Sequence, residues 1–365
     1  MNKIIYIVTT VFTFYLSYYL KNFQLLMIST SLLSLLGLFF KKINKNFILA
    51  LFSILISITI IEIILLLKNN IRMINIPNKD NFSINIKYEK TFLGYQPVPG
   101  VQNHKVVSNG KIIMDKFYTI SSNKFRYTPK IDSGEKNKIM SFFGGSFTFG
   151  WGLNDNETLP YLTQFYFRDW KIINYGISGY GIHQTLALIQ KNPDIIGDLN
   201  FLITDVNHIH RATCKRDYSF GTPKYILDNN KLIRSGYCNF GFFNKLSMPR
   251  IIGSVINRSQ IKIFFDKLYF RKENISDKDV DLYLAILSEI NKIISERDKK
   301  FIVGYMNSGG IIHQEILKKL NQNKIKFVDL SLDIENKEYW LPNGHTSKKG
   351  NEKRSILISE FLKKN

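Results

Sequence analysis

The stretch IMSFFGGSFTFG, Ile139 to Gly150, joins a short apolar run to a glycine-rich turn. Ile139–Phe143 reads as a buried strand. Gly144 and Gly145 permit a tight turn at its carboxyl end, and Ser146 follows at once. The next helix start is expected several residues later, within GLNDNETLPYL, which leaves the Ser146 hydroxyl exposed on a turn. A serine in that place is either a nucleophile or a cap or turn residue. Four further candidate strands follow: Lys171–Asn174, Phe201–Thr204, Phe301–Tyr305 and Lys326–Asp329. Between or after them lie helix-like segments: Thr158–Trp170, Ile182–Lys191, Lys278–Lys299, Ile311–Asn321 and Ser347–Lys363. In the third of these, Val280, Leu284, Leu287, Ile290 and Ile294 share one helical face. The alternation predicts an α/β domain over 138–365, with a parallel sheet covered by helices on both faces. In such domains, sites gather at the carboxyl ends of the strands.

Three more stretches reach that edge. NYGISGYG, Asn174 to Gly181, carries Gly176, Ser178 and Gly179, small residues that let backbone N–H groups approach a ligand as an oxyanion site requires. The same stretch also fits an ordinary glycine-rich turn. TDVNHIHR, Thr204 to Arg211, offers the amide of Asn207 as a donor or as a turn residue. PNGHTSKKGN, Pro342 to Asn351, brings His345, which of the six histidines alone sits on a loop after the last strand. A serine hydroxyl needs a base, and imidazole titrates closest to neutral pH. Taken singly, His345 reads as a surface histidine.

In this order the four segments resemble the SGNH/GDSL hydrolases, whose blocks contribute Ser, Gly, Asn and His. The resemblance covers roughly residues 93–365 and includes the lead pieces LGYQPVPG and NKFRYTP. The run GGSFTFGWGLNDNETLPYL looks like the membrane-linked, exported branch. The resemblance implies a flavodoxin-like three-layer α/β/α sandwich. It also implies Ser146 as nucleophile, Gly179 and Asn207 as oxyanion residues and His345 as base. No HExxH, Walker or GxGxxG pattern appears, so no metal or nucleotide cofactor is expected. One departure stands out: Pro342 holds the place of the usual Asp three residues before the base. Asn343, two before it, has an oxygen that can accept the ring N–H but supplies no charge. The site then runs as a dyad, through Asn343, or with a distant carboxylate. His208 is a second polar group beside Asn207. The substrate implied is an ester, either an O-acyl group on cell-envelope carbohydrate or a lipid ester. Two rival readings are an O-acyltransferase, which would need a membrane partner to supply its acyl donor, and a non-catalytic protein of envelope polysaccharide assembly.

Ahead of this domain, three charge-poor apolar runs at about 4–20, 23–40 and 47–67 approach the length that crosses a bilayer, so 1–68 reads as a membrane anchor. Lys41, Lys42 and Lys45 between the second and third runs outnumber Lys21 between the first two, which places the catalytic domain on the outer side. Glu62, near the end of the third run, reads as reaching toward the interface. Residues 69–137 read as a linker and a β-rich lead, with Ser108-Asn109-Gly110 as a hairpin turn. The formal charge of +21 comes mostly from scattered Lys, with no Arg-rich stripe or aromatic platform, so no nucleic acid is implied. A basic surface does attract acidic polysaccharide or anionic lipid. Cys214 and Cys238 are the only cysteines, and they either form a disulfide or remain two buried thiols.

Overall fold

The computed structural model describes residues 81–84, 86–108, 111–132, 136–215, 219, 221–238, 275–306 and 311–365, together with Ser53, Ser57, Ile60, Ile61 and Ile64. The chain divides into two compact units, 1–79 with 241–273 and 80–240 with 274–365. In the first, the five described residues are helical, and Ser57 Oγ donates to the Ser53 carbonyl at 2.8 Å. Apart from them, the three expected membrane runs lie outside the described residues, as do Glu62, Asn109 and Gly110. Among the described residues no helix is long and apolar enough to cross a membrane.

The second unit opens with five lead strands, β1 (Asn81–Ile84), β2 (Tyr88–Thr91), β3 (Gly94–Pro97), β4 (Gly100–Ser108) and β5 (Lys111–Ile120). β1, β4 and β5 form one antiparallel sheet and β2 with β3 another. Hydrogen bonds from Gln184 Nε2 to Leu93 O (2.9 Å) and from Tyr95 Oη to Ser178 O (3.0 Å) join the lead to the rest of the unit.

After the lead come β6 (Lys138–Gly144), α1 (Ser146–Phe149), α2 (Leu159–Thr163), β7 (Trp170–Asn174), α3 (Ile182–Lys191), β8 (Leu199–Thr204) and α4 (Asn207–Ala212). A hairpin of β9 (Pro223–Asp228) and β10 (Lys231–Tyr237) interrupts the alternation. The chain then runs through α5 (Asp277–Ser295), β11 (Lys300–Tyr305), α6 (Ile311–Gln322), β12 (Phe327–Asp329) and α7 (Lys348–Lys364). The main sheet has the order β12-β11-β8-β6-β7 with every pairing parallel. Counted along the chain this is the 2-1-3-4-5 order of doubly wound folds, with its switch point between β6 and β8.

Alternate residues of the buried strands face opposite layers. Phe143, Leu202 and Val303 pack with α3, α5 and α6, whereas Met140, Phe142, Phe201 and Ile302 pack with α2 and α7. All five apolar residues expected on one face of α5 are buried in the first layer. Each such side chain contributes at most about 1.5–3 kcal/mol.

Two local expectations need correction. The helix expected over Thr158–Trp170 spans only Leu159–Thr163. Thr158 caps it, and Thr163 Oγ1 donates back to Leu159 O at 2.8 Å, a local bond that competes with helix extension. A helix also begins at Ser146 itself, not several residues later. Phe149 N bonds Gly145 O and Gly150 N bonds Ser146 O, both at 2.9 Å, and Gly150 ends the turn at φ 81°. Ser146 is consequently buried at 6 % exposure rather than exposed.

Candidate active site

β6 ends at Gly144, two residues before Ser146, so the hydroxyl lies at the carboxyl edge of the sheet beside the switch point. As the first residue of α1, Ser146 has an N–H that the helix does not use. The β7–α3 loop carries Gly179 at φ 83°, a left-handed conformation that only glycine adopts freely. Asn207 opens α4 immediately beyond β8. Its backbone N–H donates to Asp205 Oδ1 (3.0 Å) and its side-chain Nδ2 to Asp205 Oδ2 (3.1 Å), so the carboxylate fixes the amide.

His345 comes from a tight loop before α7. Leu341 N bonds the His345 carbonyl at 2.7 Å, Gly344 N bonds Leu341 O at 2.9 Å, and Ser347 caps α7. Arg354 on α7 is buried and donates to the Thr346 hydroxyl and to Leu330 O, which pins the loop from beneath. The outcome is a hydrogen bond of 2.9 Å between His345 Nε2 and Ser146 Oγ. On the other side of the ring, Nδ1 lies 3.3 Å from Asn343 Oδ1, which also accepts the His345 N–H at 3.1 Å. An amide oxygen only accepts, so Nδ1 carries the proton and Nε2 presents its lone pair to the serine. Phe147 and Trp151 border the imidazole at centroid distances of 5.3 and 6.4 Å.

Burial lowers the His345 pKa to about 4; the positive charge of Arg211 and the nearby His104 act in the same direction, and Asp205 opposes them. His345 is thus neutral, the form that takes a proton, well into the acid range.

His208 is set apart from this pair. Arg211 Nη1 lies 3.2 Å from His208 Nε2, and because arginine only donates, that nitrogen is occupied as an acceptor. Burial and Arg211 also push its pKa well below the ordinary value. Pro342 is exposed, so the Asn two residues before the base, not the residue three before it, meets the ring. The motif reading does not single out Asp205, Arg211 or Arg354. Asp205 lies within TDVNHIHR, where the amide is the conspicuous group. Cys214 and Cys238 are bonded, with Cα atoms 5.5 Å apart. Among the described residues no cluster of His, Cys, Asp and Glu could hold a metal ion.

Replacing Asn343 by Ala removes the acceptor that selects the Nδ1–H tautomer. Turnover should fall on the order of 10-fold with little change in KM, since such orienting bonds are typically worth 10- to 100-fold and this one is solvent-exposed. Wild-type rates at every pH would remove Asn343 from the site.

Fold and geometry together define the class: a doubly wound α/β domain with a serine–histidine pair at its switch point. No family model matches the chain, and no curated protein does. Solved structures that align with it include a member of the lipolytic G-D-S-L family from Veillonella parvula, at 10% identity and TM-score 0.35 over 62% of this chain and 99% of that one. A protein assigned to the same family from Desulfitobacterium hafniense aligns at 10% identity and TM-score 0.37, over 61% and 99%. An active-site mutant of a family two carbohydrate esterase from Clostridium thermocellum aligns at 10% identity and TM-score 0.36, over 64% and 65%. These overlaps are too loose to transfer any residue's role.

Proposed function

We propose that this chain is a serine esterase of the SGNH/GDSL type, working through an acyl-Ser146 intermediate. The observation that carries this reading is the 2.9 Å bond between Ser146 Oγ and His345 Nε2. Oγ attacks the ester carbonyl carbon as its proton passes to Nε2. The carbonyl π pair moves onto oxygen, where the N–H groups of Ser146 and Gly179 and the Asn207 amide receive it. Collapse releases the alcohol, which takes the proton from His345. Water then repeats the sequence and frees the acid.

The substrate we favour is an O-acyl group on cell-envelope carbohydrate, reached by a catalytic unit tethered outside the membrane. In support, three apolar runs precede the domain, and Ile60, Ile61 and Ile64 are exposed on their helix. The Cys214–Cys238 bond suits an oxidising compartment. A charge of +21 favours acidic polysaccharide.

The test is hydrolysis of acetylated sugars and lipid esters by the full chain in detergent, compared with its Ser146 variant. Failure to turn over any acyl ester overturns the reading, and acyl transfer to a sugar hydroxyl in preference to water would make it a transferase. For topology, a reporter fused after Asn365 should be active only on the outer side; activity in the cytoplasm would reverse the orientation.

A further inference from the structure

Gly145, directly before the nucleophile, leaves a space that another group fills. A Cβ built there would lie 2.7 Å from Arg211 Nη1, 2.9 Å from Tyr180 O and 3.0 Å from His208 Nε2. Arg211 Nη1 itself donates to Tyr180 O at 2.7 Å and sits 3.2 Å from His208 Nε2. A single guanidinium thus touches the neighbours of all three oxyanion residues: Gly145 beside Ser146, Tyr180 beside Gly179, and His208 beside Asn207. An always-charged planar fork is suited to bracing three loops at one point.

Resting on the esterase reading above, we infer that Arg211 is a positioning residue whose charge stabilises the developing oxyanion, offsetting the lack of a carboxylate behind His345. In a Ser-His-Asp site the anion favours the imidazolium half of the ion pair formed at the transition state. Asn343 brings no charge to that half. Arg211 acts on the other half, from behind the oxyanion wall. Its cost is a less stable imidazolium, and that cost is visible at His345. The charged and titratable groups around His345 are Arg211 from α4, Asp205 from the β8–α4 turn and His104 from β4. Arg354 from α7 holds Thr346 and interacts with Asp205. Arg211 ranks next after burial among the influences that keep the ring neutral.

The experiment is an NMR titration of His345 in the full chain, run beside the pH dependence of kcat and KM, for wild type, Arg211→Met and Arg211→Lys. In wild type the ring should titrate near 4. Removing a nearby like charge makes the imidazolium easier to form, so Arg211→Met should move the titration upward by about 1 unit. The acid limb of kcat/KM should move with it. Its kcat should drop about 10- to 100-fold, less than the loss of a direct oxyanion donor, with KM nearly unchanged. Arg211→Lys keeps the charge, so its titration should stay close to wild type. If Arg211→Met does not fold, Gly145→Ala displaces the guanidinium by its methyl group, and the same upward movement is expected. An unmoved His345 titration in the charge-removing or displacing variant overturns the inference, and so does a Lys variant that moves as far as the Met one. Hydrolysis that survives Ser146→Ala would instead sink the acyl-Ser146 mechanism, while the titration would still decide the role of Arg211.

Discussion

Ser146→Ala should lower acyl-ester turnover by roughly 10³-fold or more while the protein keeps its fold. Its hydroxyl is the group that His345 Nε2 holds at the sheet edge, at 2.9 Å, so without it no atom is placed to form the acyl intermediate. The residual rate is whatever the oxyanion donors give to a water molecule. The structural cost is small. Alanine is a good first-turn helix residue, and α1 is held by backbone bonds from Phe149 and Gly150 that the substitution leaves intact. The lost hydrogen bond is worth about 1 kcal/mol. Circular dichroism should therefore match wild type and the melting temperature should fall by only about 2–4 °C, so a dead but folded variant isolates the chemistry. Unchanged turnover would end the Ser146 mechanism.

Arg126→Met should destabilise the catalytic unit by about 3–5 kcal/mol, the range for stripping one partner from a buried ion pair. Arg126 has no exposed side-chain surface and pairs with Asp155 at 2.9 Å. Nη1 donates to Phe149 O (3.0 Å) and Gly150 O (2.8 Å), and Nη2 donates to Leu153 O at 2.6 Å. The guanidinium lies 4.2 Å over the Tyr118 ring. Methionine fills the volume but takes the Arg126 donors from Phe149 O and Leu153 O, leaves Gly150 O with the Leu153 N–H alone, and leaves Asp155 with the Thr119 N–H. For a domain of this size the melting temperature should drop by roughly 10 °C. Lysine should not rescue it, because a single ammonium cannot serve Asp155 and all three carbonyls together. A loss below about 1 kcal/mol would show that the network is dispensable.

Arg126 also shows what a sequence reveals and what it hides. NKFRYTP stands out as a recurrent lead piece, but nothing in it says that its arginine crosses to cap the helix that Ser146 begins. That contact joins residues distant in sequence and depends on how the lead docks. The parallel alternation is legible because burial leaves continuous apolar runs such as Ile139–Phe143 and a clean helical stripe on α5. The Ser146, Gly179, Asn207 and His345 positions are legible because each follows a strand at the same edge. Arg211 is hidden because its significance depends on an absent side chain at Gly145, which periodicity does not register. The β9–β10 hairpin lies outside the strand expectations too, although Asn229-Asn230 carries the signal. Both residues adopt positive φ, 47° and 62°, as a two-residue hairpin turn requires. The early end of α2 rests on a threonine bonding its own backbone, a choice that helix propensity does not foresee.

Ser146 and His345 are 199 residues apart. On a ribosome adding about 5–20 residues per second, the histidine emerges roughly 10–40 s after the nucleophile. Once Asn207 has emerged, the nascent chain holds Ser146, Gly179 and Asn207 but not the His345 that takes the hydroxyl proton in the proposed mechanism. On the proposed mechanism the growing polypeptide is therefore silent toward esters until its final helix docks. Premature termination between Ser146 and His345 yields a fragment that retains the proposed nucleophile but lacks its base.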